Sequence, residues 1–126
     1  QKIVWGNLNL RASYAIAPEN YFVNAPCPMI VPANMYLMAI LNSKIADFYI
    51  RTLGVTRNGG YFEYKPMFIE KLPVPIISNT QQIPFISLVE QLTNKIFDRG
   101  LEECIDKLIY KLYRLSEDEI EFIESQ

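Results

Sequence analysis

The sequence predicts a mixed α/β domain: a small, mainly antiparallel sheet with packed helices, followed by a C-terminal helical tail. Three observations carry this. Short β-favouring runs broken by Gly, Asn and Pro fill the first 30 positions. Apolar residues then recur at helical spacing from Ala33. The last third carries apolar stripes of the 3.6-residue period with few turn residues.

The first strands are expected at Ile3-Val4-Trp5, Tyr14-Ala15-Ile16, Tyr21-Phe22-Val23 and Met29-Ile30-Val31. Gly6-Asn7 and Pro18-Glu19-Asn20 mark turns between them. Ala25-Pro26-Cys27-Pro28 is barred from a helix, because proline lacks a donor and restricts the residue before it. From Ala33 to about Leu53, Leu37, Ile40, Leu41, Ile45, Phe48 and Tyr49 share one broad helical face. Asn42-Ser43 divides that stretch in two; Ser43 serves as an N-cap and Gly54 as a stop. Asn58-Gly59-Gly60 requires unusual backbone angles and reads as a loop. Tyr61 to Tyr64 is a strand, Pro66 opens a short helical turn to Glu70, and Leu72-Pro73-Val74-Pro75 is extended.

Three helices are expected after that. Pro84 would occupy the first turn of a helix to about Arg99, ended by Gly100. Leu101, Ile105, Leu108, Ile109 and Leu112 form the stripe of the next. Ser116 with Glu119 is a capping box for the last, ending near Glu124. The chain divides into a core over residues 1–80 and a helical segment over 81–126, which packs on the core or on a partner.

Half of the 126 residues are apolar, enough for one buried core. No apolar run approaches the roughly 18 residues that span a bilayer, so no membrane association and a cytoplasmic location are expected. Gln1 rather than Met opens the sequence, which is therefore expected to be part of a longer polypeptide. Cys27 and Cys104 are too few and too far apart for a zinc site, and two buried free thiols are expected. The net charge of −2 is unevenly spread. Residues 98–126 hold nine acids and four bases, leaving the remainder at net +3. A mildly basic body permits phosphate contact.

The chain has no histidine, which excludes His-dependent triads and imidazole metal sites. No phosphate-cradling glycine motif occurs. Glu63-Tyr64-Lys65 has the acidic-x-lysine spacing of metal nucleases, with Asp47 or Glu70 as possible second acids; a solvated strand face is the better account of it. The loop Thr56-Arg57-Asn58-Gly59-Gly60 is the most prominent polar feature. Arginine pairs with guanine or phosphate through two donors, and asparagine pairs with adenine. Taken alone, the loop reads more simply as a solvent-exposed turn. Asn7, Asn9 and Arg11 would share one strand face, either a nucleic-acid surface or the wet side of a sheet. Tyr61, Phe62 and Tyr64 are aromatics beside bases, suited either to stacking on nucleobases or to the core.

Three segments, taken in order, carry a family resemblance. Met35-Tyr36-Leu37-Met38-Ala39-Ile40-Leu41-Asn42-Ser43-Lys44 resembles the signature of the TaqI-like C-terminal specificity domain. Gly60-Tyr61-Phe62-Glu63-Tyr64-Lys65-Pro66, followed by Ile69-Glu70-Lys71-Leu72-Pro73-Val74-Pro75, resembles its strand, short helix and proline element. Ile105 to Tyr113, then Leu115 to Ile120, is similar to the helices that close such polypeptides. Arg114 stands where the family usually has glycine.

The resemblance implies a target recognition domain of a bacterial restriction-modification system. Such a domain reads duplex DNA for an adenine methyltransferase domain of the same polypeptide, in some members a type II restriction enzyme. S-adenosylmethionine would be bound by that catalytic domain, with no cofactor and no metal in this chain, which is not itself expected to catalyse. The expected DNA contacts are Arg57, Asn58 and Thr56, supported by Arg11, Asn9, Lys2 and Lys65. Arg57 and Asn58 would read bases, and the lysines would hold phosphates. The alternative is a helical protein-interaction module, with self-association through residues 84–124.

Overall fold

A computed structural model describes residues 2–6, 8–17, 29–30, 34–93 and 99–126. The mixed α/β class is as expected, and the sheet is split in two. Strands β1 (Lys2–Trp5), β3 (Tyr14–Ala17) and β4 (Met29–Ile30) form an antiparallel sheet of order β3-β1-β4. Strand β2 (Leu8–Asn9) pairs antiparallel with β5 (Phe62–Glu63) in a second, two-stranded sheet. The strand expected at Tyr21-Phe22-Val23 lies outside the described residues, as do Asn7, Cys27 and Val31.

Alternation of side chains puts Ile3 and Trp5 on the core face of β1, opposite Ile16 and Tyr14 of β3. The Trp5 and Tyr14 rings lie 5.3 Å apart. The Trp5 indole donates to the Tyr64 carbonyl at 2.8 Å, which joins the first sheet to the chain just after β5.

Helices α1 (Met35–Leu41) and α2 (Lys44–Arg51) are separated at Asn42-Ser43, as their polar character predicts. Asn34 caps α1 by accepting from Leu37 N–H at 3.0 Å. Ser43, fully buried, caps α2 by accepting from Ala46 N–H and donates to the Ile40 carbonyl. The Lys44 N–H donates to Asp106 at 3.0 Å, which ties this joint to the tail.

Gly54 is not the stop of α2, whose C-cap is Thr52. A Cβ on Gly54 would lie 3.0 Å from Phe68 and 3.2 Å from Phe62. Its small size serves close packing.

After α3 (Pro66–Ile69), the extended Leu72–Pro75 run is held at two carbonyls. The Tyr36 hydroxyl of α1 donates to Pro75 at 2.7 Å, and the Tyr113 hydroxyl donates to Pro73 at 2.6 Å. One tyrosine precedes the strap and the other follows it by 40 positions, so the strap binds early and late chain together.

The tail departs from expectation at both of its punctuating residues. Helix α4 runs Asn79–Thr93 with Pro84 inside it, not at its start. The start is set by a Ser78–Gln81 capping box. Ser78 N–H donates to the Gln81 side chain at 3.0 Å, and Gln81 N–H donates to the Ser78 hydroxyl at 3.2 Å. Gly100 lies within the first turn of α5 (Arg99–Leu112) and ends nothing that is described. Helix α6 (Glu117–Glu124) has the expected Ser116–Glu119 box.

Phe85 and Val89 of α4 and Ile105 and Ile109 of α5 belong to the same buried cluster as Ile3, Trp5, Ile40 and Phe62. The stripes of α4 and α5 are therefore used internally. Cys104, expected buried, is an exposed free thiol on the outer side of α5. No helix among the described residues is long and apolar enough to cross a membrane.

Candidate nucleic-acid interface

The two-stranded sheet and the turn before it form one surface. Phe62 and Tyr64 point into the core, so Tyr61, Glu63 and Lys65 alternate onto the outer side. The turn Asn58–Gly60 is a tight 3₁₀ element with Gly59 and Gly60 at φ +82° and +86°. The Arg57 N–H donates to the Tyr61 carbonyl at 2.6 Å and the Gly60 N–H to the Arg57 carbonyl at 3.1 Å, which closes the loop on itself. Leu10 and Tyr61, both exposed, flank the two glycines.

Below the turn sits a polar cluster that its residue types alone do not announce. Arg51, at the end of α2, lies over the Phe62 and Tyr64 rings at 5.5 and 5.7 Å. Its guanidinium donates to the Gly60 carbonyl at 3.3 Å, to the Tyr64 hydroxyl at 2.9 Å and to the Leu10 carbonyl. Asp47 accepts from Arg51 at 3.4 Å, from the Tyr64 hydroxyl at 2.9 Å and from Ala12 N–H at 3.2 Å. Burial, with Asp47 beside it, pushes the Tyr64 hydroxyl well above its ordinary range and keeps it a donor. Arg51 and Asp47 thus fasten three chain segments: 10–12, the glycine turn and Tyr64.

On the outer face, Arg57 pairs with Glu63, and Lys65 lies 3.8 Å from the other Glu63 oxygen. Thr56 is exposed beside them. Four expected contacts therefore concentrate here by backbone position: Thr56, Arg57, Asn58 and Lys65. The Asn58 side chain lies outside what the structure describes.

The remaining three sit elsewhere. Asn9 is opposite Phe62 in register, hence on the inward side, and its amide donates to the Gly6 carbonyl at 3.1 Å. Arg11 is on a bend, not a strand, and faces Glu102 of α5 at 3.7 Å. Lys2 is half-buried on the central strand of the other sheet. Asn9 and Arg11 do not share a polar strand face, because β2 ends at Asn9 and Arg11 lies on the bend after it; Asn7 lies outside the described residues.

The acidic-x-lysine triplet has a different use from metal binding. Both Glu63 oxygens face cations, and Asp47 is committed to the inner cluster. No group of three or more His, Cys, Asp or Glu that could hold a metal occurs among the described residues.

Residues 1–74 match the model of the TaqI-like C-terminal specificity domain. The chain belongs to this family. The match ends in the Leu72–Pro75 strap of the specificity domain, and α4 to α6 lie beyond it. It spans both sheets, the Arg51–Asp47 cluster and the glycine turn. Membership gives the chain a role in target recognition within restriction and modification. A comparison of this chain with curated proteins found no match.

Proposed function

We propose that this specificity domain reads a particular sequence in duplex DNA, using the Thr56–Tyr61 turn and the outer face of β5. Arg57 reads a base edge, and Lys65 holds a phosphate. Thr56, Asn58 and Tyr61 border the contact. The observation that carries this reading is the clamping of the turn. An exposed arginine is useful for reading bases only if its backbone is fixed, and Arg51 holds the turn from below through the Gly60 carbonyl.

The same proposal makes the chain a non-catalytic part of a larger enzyme. Residues 1–80 form the recognition core, and residues 81–126 brace it. Adenine methylation and S-adenosylmethionine binding belong to a separate methyltransferase domain of the same polypeptide. The absence of histidine and the cation-bound state of Glu63 support that division.

The test is Arg57→Ala in the intact protein, with affinity for its recognition duplex measured by titration. The expected loss is about 1–3 kcal/mol, confined to sequences with the cognate base at one position. Lys65→Ala should weaken binding to all sequences alike and lower the salt slope by about 1. Unchanged cognate affinity in Arg57→Ala would remove the turn from the contact.

A further inference from the structure

Glu63 occupies an unexpected place for an acid. It stands in the middle of the outer face, side by side with the two cations best placed to meet DNA. One carboxylate oxygen faces the Arg57 guanidinium, and the other lies 3.8 Å from Lys65 Nζ. The side chains of Arg57 and Lys65 are 61% and 47% exposed, while that of Glu63 is 23% exposed. The acid is therefore seated beneath its two partners and draws both toward itself. Similar pairing recurs at Arg11 with Glu102 and at Lys44 with Glu124, at 3.7 and 3.8 Å.

Three facts of chemistry bear on this. An exposed ion pair is weak and easily exchanged. The guanine edge offers two acceptors, O6 and N7, that take an arginine bidentately as a carboxylate does. A phosphate that draws Arg57 away leaves the Glu63 charge uncovered and facing the DNA backbone, whereas a guanine edge draws Arg57 into the groove, away from the phosphates.

We infer that Glu63 is a specificity-determining residue of this surface: it holds Arg57 and Lys65 back from indiscriminate phosphate contact and yields Arg57 to a guanine edge. The inference rests on the reading that this surface meets duplex DNA. Glu63 acts by restraining the cations, so its removal strengthens binding to arbitrary DNA while weakening discrimination.

The experiment uses the intact protein and a pool of duplexes with a randomised central segment. Retention of the unselected pool is measured against salt, and the retained sequences are read. The unsubstituted protein should retain the pool weakly and enrich one motif. Glu63→Gln and Glu63→Ala should each bind the unselected pool roughly fivefold more tightly, with a steeper salt dependence, as release of one further counterion predicts. Their ratio of motif to pool affinity should fall. In an Arg57→Ala background, Glu63→Gln should no longer change that ratio, which separates restraint of Arg57 from simple loss of a negative charge. Enrichment of a motif by the unsubstituted protein, with pool affinity and ratio unchanged in both Glu63 variants, overturns the inference and leaves DNA reading intact. Absence of both retention and enrichment in the unsubstituted protein overturns the DNA reading itself, and the role of Glu63 with it.

Discussion

Asn42 completes the edge of strand β3 at Tyr14. Its Oδ1 accepts from the Tyr14 N–H at 2.8 Å, and its Nδ2 donates to the Tyr14 carbonyl at 3.0 Å. The side-chain amide takes the place of a neighbouring strand's peptide group. It joins the sheet to the α1–α2 joint, where Ser43 caps α2 and Lys44 meets α5. Asn42→Ala removes both bonds and leaves two backbone groups without partners. The expected cost is about 1–3 kcal/mol, read as a lower urea midpoint with an unchanged slope. Asn42→Asp restores only the acceptor half and should not recover full stability.

Arg114 follows α5 at φ +57°. The Leu115 N–H bonds to the Tyr110 carbonyl at 3.1 Å and the Arg114 N–H to the Lys111 carbonyl at 3.0 Å, the two bonds of a Schellman turn. The turn has the backbone of a glycine and the side chain of an arginine. Arg114→Gly should therefore stabilise the protein by about 1 kcal/mol, seen as a higher melting temperature. A lower one would mean that the arginine makes a compensating contact.

Gly54 should tolerate no side chain. Its neighbours, Phe68 and Phe62, are themselves packed with ring centres 5.9 Å apart. Gly54→Ala should cost about 1–3 kcal/mol through overpacking. A substitution without effect on thermal melting would show that the Phe68 ring moves aside freely.

The tyrosines give the fold an alkaline limit. Burial pushes Tyr113 and Tyr110 up to about 12, and Tyr14, Tyr36 and Tyr64 are also raised, chiefly by burial. A folded-state pKa above the unfolded value of about 10 means that the folded chain holds these protons longer. That stability is present in full below about pH 10 and is lost as pH rises through 12. Tyrosinate absorbance and far-ultraviolet circular dichroism should change together in that window. Complete tyrosinate formation near pH 10, with the dichroism unaltered, would contradict the assigned burial.

The parts of this fold that sequence reading reached are those set by near neighbours. Ser43 and the Ser116–Glu119 box act over three residues, and the two halves of the Ala33–Leu53 stretch follow from periodicity. The Ser78–Gln81 box is equally local, yet Pro84 is the more conspicuous helix-start signal and drew the boundary to itself. The glycine pair and the outer-face cations were visible as residue types. The clamp beneath them was not. Arg51 reaches Leu10 across 41 positions, and Asn42 reaches Tyr14 across 28. Pairings of that range arise only once the core has assembled. The alternation at Asn9 and Arg11 marks a surface only in a strand longer than the two residues that pair.

Hydrogen exchange of the intact protein, with and without its recognition duplex, tests the proposed interface most directly. DNA should slow exchange at Thr56 to Tyr61 and at Glu63 and Lys65, and leave α6 unchanged. Protection confined to α5 and α6, with the glycine turn exchanging as before, would contradict the account.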